Sequence, residues 1–172
     1  MWDVIKNHRG AWLAVGVVVG LAVANYWPQA PLHAMATDSQ ENYAICTGFV
    51  DNETEAIFFF DSLTGELKGA VLSPQNGKFL TFFLANAMTD LGITDVTGAQ
   101  FLLVTGTTSF RRSPGTAQLG SCVVYVTEVS SGQVVAYGVP WTKARGQANA
   151  PAEVPLVLLD GYQFRNAAVR PE

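Results

Sequence analysis

Few side chains in this sequence belong to the types that carry enzyme chemistry. The only histidines are His8 and His33, both ahead of Thr37. Hydrolytic triads need an imidazole beside the nucleophile, and transition-metal sites usually need His or clustered Cys ligands. No Gly-rich phosphate-binding loop follows a strand and opens a helix. The sequence therefore predicts a protein that is not an enzyme, with no catalytic, cofactor-binding or metal-binding residues.

Carboxylates are the remaining candidates for chemistry. Residues 51–55 (DNETE) form the densest acidic cluster. Their oxygen atoms are ligands of the kind that Ca²⁺ prefers. Because the cluster lacks the EF-hand spacing, we expect it to be a solvated hairpin tip. Asp61 and Glu128 occupy equivalent positions shortly before a Ser/Thr-Gly turn. Paired carboxylates can hydrolyse glycosides, but acids at turns commonly hydrogen-bond the turn's own backbone. We expect this structural role for both.

Two cysteines, Cys46 and Cys122, lie in apolar, strand-like runs. Two alternatives remain open for them. In an oxidising compartment they can form a disulfide, and in a core each can remain a buried free thiol that behaves as a small hydrophobe.

The most apolar stretch of the chain is near its N-terminus. Residues 11–27 (AWLAVGVVVGLAVANYW) follow Lys6 and Arg9, and as a helix they would extend roughly 25 Å, the short end of what crosses a bilayer. The preceding basic residues predict a cytoplasmic N-terminus, residues 1–10, and a periplasmic C-terminal domain on an inner-membrane anchor. A signal peptide cleaved after residues 34–36 (AMA) is the alternative, and we expect the anchor to be retained.

Two features of the chain point to association. Gly16 and Gly20 form a small-xxx-small pair in the predicted transmembrane helix, which suits a helix–helix contact. Charged residues make up 14% of the sequence against about 25% in ordinary soluble proteins, so part of the surface is expected to be covered by other subunits or by the membrane.

A net charge of −4 argues against nucleic acid as a partner.

Residues 28–42 are predicted to be a linker and residues 43–172 a β-domain. Alternating apolar segments separated by Gly-containing turns predict strands. Residues 84–91 (LANAMTDL) have apolar residues at helical spacing, which indicates a short helix or a turn on the surface. The predicted strands are residues 43–50, 56–62, 67–72, 79–85, 101–106, 123–129, 134–139 and 154–159. Residues 142–151 are predicted to be a loop.

The β-domain contains an internal repeat. AIFFFDSLTGELKGAVL, from Ala56, aligns with VVYVTEVSSGQVVAYGV, from Val123, 67 positions later. YAICTG, from Tyr43, aligns with FLLVTG, from Phe101. The alignment predicts two four-stranded antiparallel units, at about residues 43–91 and 101–160.

These units resemble the blades of pyrroloquinoline-quinone-type and related β-propellers, in which an apolar strand, an acidic residue and a Thr-Gly turn lead into the next strand. The resemblance implies the blade fold and no cofactor site. Two blades cannot close a ring that needs four to eight. The units therefore either assemble with further copies into a propeller-like ring, or pack within one chain, face to face as a β-sandwich or curled into one barrel.

The order of segments also resembles membrane-anchored exported proteins of planctomycete-type bacteria. The residues that carry this resemblance are the short basic leader, TGFVDNETEAIFFFDSLTGELKGAVL and VVYVTEVSSGQVVAYGVPW. It implies an exported location and no particular reaction.

Aromatic residues are the candidates for subunit contact. Three consecutive phenylalanines cannot all point to one face of a strand, so these side chains either pack between the two units or anchor a subunit interface. The candidates are Phe58, Phe59, Phe60, Phe82, Phe83 and Trp141. We therefore expect a structural or scaffolding subunit of a membrane-anchored assembly, made of copies of itself and other subunits. The alternative is an extracytoplasmic module that binds a small molecule or a glycan.

Overall fold

The β-domain consists of two β-sheets. The computed structural model describes residues 10, 12–22, 37–40, 42–94, 98–111, 117–146 and 150–165. The chain divides into two compact units, Met1–His33 and Ala34–Glu172. The expectation of a largely β fold is confirmed.

The N-terminal unit contains a helix, α1, at residues 12–22. These residues belong to the predicted transmembrane segment, of which residues 11 and 23–27 lie outside the described residues. Within the described part of the chain, no helix has both the length and the apolar character needed to cross a bilayer. The anchor therefore stays a prediction.

The first sheet has six strands in the order β1-β2-β3-β4-β5-β9. All neighbouring pairs are antiparallel except β5 and β9, which are parallel. The strands are β1 (Thr37–Gln40), β2 (Tyr43–Phe49), β3 (Glu55–Asp61), β4 (Glu66–Leu72), β5 (Phe79–Asn86) and β9 (Ala152–Pro155). The first predicted repeat provides β2 to β5.

The second sheet has four antiparallel strands in the order β10-β8-β7-β6. They are β6 (Phe101–Thr107), β7 (Leu119–Glu128), β8 (Gln133–Pro140) and β10 (Val157–Gln163). The second predicted repeat provides β6, β7, β8 and the first part of β10, and it also includes β9, which belongs to the first sheet. Neither sheet closes on itself.

Two short helices complete the domain. Helix α2 (Ala87–Leu91) begins at Asn86, whose side chain accepts a hydrogen bond from the Thr89 N–H, and it ends at Gly92 with φ 69°. Of the segment 84–91, predicted as a short helix or a surface turn, only Ala87–Leu91 is helical, and residues 84–86 continue β5, which was predicted over 79–85. Helix α3 (Lys143–Gly146) lies in the segment predicted to be a loop.

A single hydrophobic core joins the two sheets. Phe60 of β3 packs edge-on against Phe101 of β6, with ring centroids 5.2 Å apart. The buried cluster draws on both sheets and on α2, and includes Phe58, Phe60, Leu67, Val71, Phe83, Ala87, Leu103, Val124, Val126, Tyr137 and Val139. Hydrogen bonds also connect the sheets where β2 meets β6 and β7: the Thr105 hydroxyl donates to the Thr47 carbonyl, and the Ser121 hydroxyl donates to the Phe49 carbonyl at 2.8 Å.

Two sequence-based boundaries need correction. The predicted linker, residues 28–42, includes β1, which pairs with β2 and therefore belongs to the sheet. The single strand predicted over 154–159 is two strands, because the residues up to Pro155 pair with β5 and those from Val157 pair with β8. Leu156 between them is buried, and its N–H donates to the Leu84 carbonyl at 2.8 Å. At that point the chain leaves the edge of the first sheet and enters the second.

Candidate functional site

The predicted interface aromatics divide between the core and the surface. Phe58, Phe60, Phe83 and Trp141 are buried, so their packing within the domain accounts for them. Phe59 is 41% exposed and Phe82 is half-buried. Because successive strand residues point to opposite faces, both lie on the face of the first sheet that points away from the core.

The acidic cluster at 51–55 positions Trp141. The Trp141 indole Nε1–H donates to the Asp51 carboxylate at 2.7 Å, and the backbone N–H groups of Glu53 and Thr54 donate to the same carboxylate at 2.9 and 2.8 Å. Partial burial raises the pKa of Asp51, but these hydrogen bonds outweigh it and hold the pKa below its ordinary value. Within the described residues, no three His, Cys, Asp or Glu side chains are grouped as a metal site.

Asp61 and Glu128 each hold the turn that follows them. The Asp61 carboxylate accepts from the Leu63 N–H at 2.8 Å and from the Thr64 N–H at 3.3 Å. The Glu128 carboxylate accepts from the N–H groups of Ser130 and Ser131 at 2.8 and 2.7 Å. Their carboxylate oxygens are thus engaged with local backbone, which is the structural role that their turn position predicts.

Both cysteines are free thiols in the core. Cys46 and Cys122 are buried, and burial raises the pKa of each to about 12, with a further contribution to Cys46 from Cys122. A thiol with such a pKa carries almost no thiolate at neutral pH and is a poor nucleophile. Of the two alternatives, the structure shows the buried thiol.

The first sheet carries an apolar band on the face that points away from the core, called here the first-sheet face. Tyr43, Phe59 and Phe79 on this face are 45%, 41% and 49% exposed. Cross-strand pairing places Ile45 beside Phe59 and Ile57 beside Ala70. The charged side chains on the same face and its rim are Asp38, Glu55, Asp61, Glu66, Glu153 and Lys68.

The second sheet has a comparable face, called here the second-sheet face. Leu102, Val104 and Tyr162 are 53%, 45% and 66% exposed. One cross-strand row runs from Val104 through Tyr125 and Ala136 to Asp160. Within these four strands, all of which the structure describes, Asp160 is the only charged side chain on the face.

A recess of about 420 Å³ lies at one end of the first-sheet face. Its lining is mainly apolar, with Glu53 and Glu55 as its charged groups. The lining residues are Thr47, Glu53, Thr54, Glu55, Ala56, Ile57, Ala70, Leu72, Pro74 and Phe79. Its size and apolar lining are within the range of small-molecule sites.

Sequence reasoning missed most of the exposed apolar side chains. The signal was present in segments where neighbouring residues are all apolar, such as FLLV from Phe101 and VLL from Val157. A strand covered on one face alternates apolar and polar residues, so an uninterrupted apolar run means that both faces are apolar. The three consecutive phenylalanines from Phe58 to Phe60 carry the same signal.

The glycine pair predicted for a helix–helix contact lies on α1. Gly16 and Gly20 are one helical turn apart and therefore share a face. Within the described residues, no atom beyond the helix lies within 4 Å of the position that a Cβ would take at either glycine. The contact stays a prediction.

Comparisons with known proteins add no assignment: no protein family, curated protein or solved structure matches this chain.

Proposed function

We propose that this protein is a non-enzymatic structural subunit whose β-domain associates with further copies of itself. The observation that carries the proposal is the pair of apolar faces on the outside of the two sheets. In this arrangement strands β2 to β8 already bury their inner faces in a shared core, so the outer faces are available for a partner.

The extent of these faces favours a protein partner. Monomeric proteins rarely expose contiguous apolar patches of more than a few hundred Å², and larger patches mark interaction sites. Exposed hydrophobic residues occur on four adjacent strands of the first sheet, at Tyr43, Phe59, Leu72 and Phe79. The low content of charged residues, 14%, agrees with a surface that is partly covered.

The proposed location is the periplasmic side of the inner membrane. The apolar stretch at residues 11–27 behind Lys6 and Arg9 supports a single-pass anchor with a cytoplasmic N-terminus. Anchoring would confine the domains to two dimensions and raise their effective concentration, which favours weak contacts between copies. A propeller-like ring of blade-like units and a simple dimer are both compatible with association through the sheet faces.

The mass of the native particle tests the proposal. The full chain, extracted from its membrane in mild detergent, is expected to have a protein mass that is a multiple of 18.4 kDa by light scattering. A protein mass of one chain at micromolar concentration would contradict self-association. Additional protein species at fixed ratio would identify other subunits of the assembly.

The recess on the first-sheet face supports a second candidate function, binding of a small molecule. Its apolar lining and the carboxylates of Glu53 and Glu55 favour an amphipathic, cationic compound. A glycan is the other class of ligand that fits, because Phe79 lines the recess and is 49% exposed, so its ring is open to a sugar. Native mass spectrometry distinguishes the two functions: a bound small molecule shifts each chain by a constant mass, whereas self-association multiplies the mass of the chain.

A further inference from the structure

We propose that the second-sheet face joins two copies of this chain face to face, with a twofold axis through its centre. This inference rests on the proposed self-association and adds which surface is used. It is carried by two properties of the face, its size and its charge.

The size of the second-sheet face is close to what a stable contact requires. Four strands about 4.8 Å apart, each of about seven residues at about 3.3 Å, make a face of roughly 19 by 23 Å. When the faces are treated as flat, two copies that face each other therefore cover about 900 Å² in total. The side chains that project from the faces add to this area. Specific interfaces bury upwards of about 1,000 Å² in total.

Charge decides between the two faces. The first-sheet face carries five carboxylates and one ammonium group, and Lys68 is already paired with Glu66 at 2.6 Å. Two such faces brought together would place like charges opposite each other, which opposes association. The second-sheet face carries only Asp160 within its four described strands, and Asp160 belongs to the edge strand β10, where a carboxylate can remain in water.

Charge also distinguishes a second copy from a lipid surface. Proteins that bind anionic membranes present Lys and Arg, which the negative surface potential of the lipid attracts. The four described strands of the second sheet place no Lys or Arg on this face. An apolar surface whose single charge lies on an edge strand is complementary to a second copy of itself, and twofold pairing of identical patches is the commonest form of association.

Two matched substitutions test which face is used. Val104 on the second-sheet face and Phe59 on the first-sheet face are 45% and 41% exposed. In full-length protein in mild detergent, Val104→Glu should raise the dimer dissociation constant at least 100-fold by sedimentation velocity. Phe59→Glu should change it by less than about threefold. Near-ultraviolet circular dichroism checks that both variants keep the native packing.

Cross-linking tests the contact without depending on dissociation. Ala136 and Ala70 are half-buried residues near the centres of the second-sheet and first-sheet faces, and both native cysteines are buried. A short bis-maleimide should join two copies of Ala136→Cys and leave Ala70→Cys as single chains. The reverse result would overturn the inference.

The outcomes separate this inference from the proposed function. If the wild-type chain associates but Val104→Glu does not weaken association, and Ala136→Cys is not cross-linked, another surface is used and only this inference fails. If the wild-type chain is monomeric, self-association fails and this inference fails with it. Monomeric wild-type protein that floats with phosphatidylglycerol vesicles, and loses this on Val104→Glu, would identify lipid as the occupant.

Discussion

At the scale of single residues, the carboxylate of Glu128 shows how a turn holds a buried charge. Its side chain is 6% exposed and accepts two backbone N–H bonds and one hydroxyl bond, from Ser130 and Ser131. Burial alone raises the pKa of a carboxyl group. Here the three hydrogen bonds outweigh burial and lower the pKa of Glu128 to about 2.

This lowered pKa predicts an acid-dependent loss of stability. Because the folded pKa lies below the unfolded one, of about 4.3, the stabilisation is complete above pH 5 and is lost as pH falls towards 2. Glu128→Gln should lower the free energy of unfolding by about 2 kcal/mol at pH 7, and its difference from wild type should shrink between pH 5 and pH 2. Urea unfolding at several pH values measures both effects.

Glu53→Gln is the control for this prediction. Glu53 lies on an exposed loop, with a side chain 79% exposed, and its removal should change stability by less than about 0.5 kcal/mol at pH 7. A difference between Glu128→Gln and wild type that stays constant from pH 7 to pH 2 would contradict the role assigned to the ionised carboxylate.

At the scale of elements, aromatic packing across β3, β4 and β5 depends on a glycine. Gly69 of β4 is paired with Phe58 on one side and Phe83 on the other. The two rings stack with centroids 6.5 Å apart and cover the glycine. A Cβ at Gly69 would lie 2.7 Å from the Phe58 ring and 3.2 Å from the Phe83 ring, which leaves no room for a side chain.

Gly69→Ala should therefore destabilise the domain by about 1–3 kcal/mol through overpacking. Gly161→Ala in β10 is the matched control, because the Cβ there would make an ordinary contact of 3.5 Å with Val135. It should change stability by less than about 0.5 kcal/mol, or stabilise slightly. Thermal unfolding monitored by circular dichroism compares them, and equal melting temperatures would show that the rings move aside freely.

At the scale of the whole molecule, the two repeats share one core and are joined by hydrogen bonds between sheets. The Ser121 N–H donates to the Val50 carbonyl at 2.9 Å, and the Tyr137 hydroxyl of β8 donates to Asp90 of α2 at 2.6 Å. Each repeat thus buries its inner face against the other. Neither sheet would keep a covered core if its partner unfolded.

This arrangement predicts one cooperative unfolding transition for the β-domain. Leu67 of β4 and Leu103 of β6 are both buried, one in each sheet. Leu67→Ala and Leu103→Ala should each lower the free energy of unfolding by about 2–5 kcal/mol and shift the same single calorimetric transition. Two separate transitions, each moved by only one of the substitutions, would mean that the repeats fold independently.

The sequence by itself predicted a largely β fold, most of its strands and the turn role of the acids. These features depend on neighbouring residues: period-two alternation defines a strand, glycine permits the positive φ of Gly65 and Gly132, and Asp61 and Glu128 bond to backbone two and three residues away. The offset between the two aligned segments can likewise be read from the sequence alone.

Only the tertiary structure decided which residues are covered and by what. The division of 154–159 into β9 and β10 depends on their different pairing partners, β5 for β9 and β8 for β10. The burial of Trp141 depends on Asp51, and the exposure of Val104 and Tyr162 depends on how the two sheets pack. Burial is set by residues distant in sequence, so local periodicity shows that a face is apolar but not whether the same chain covers it.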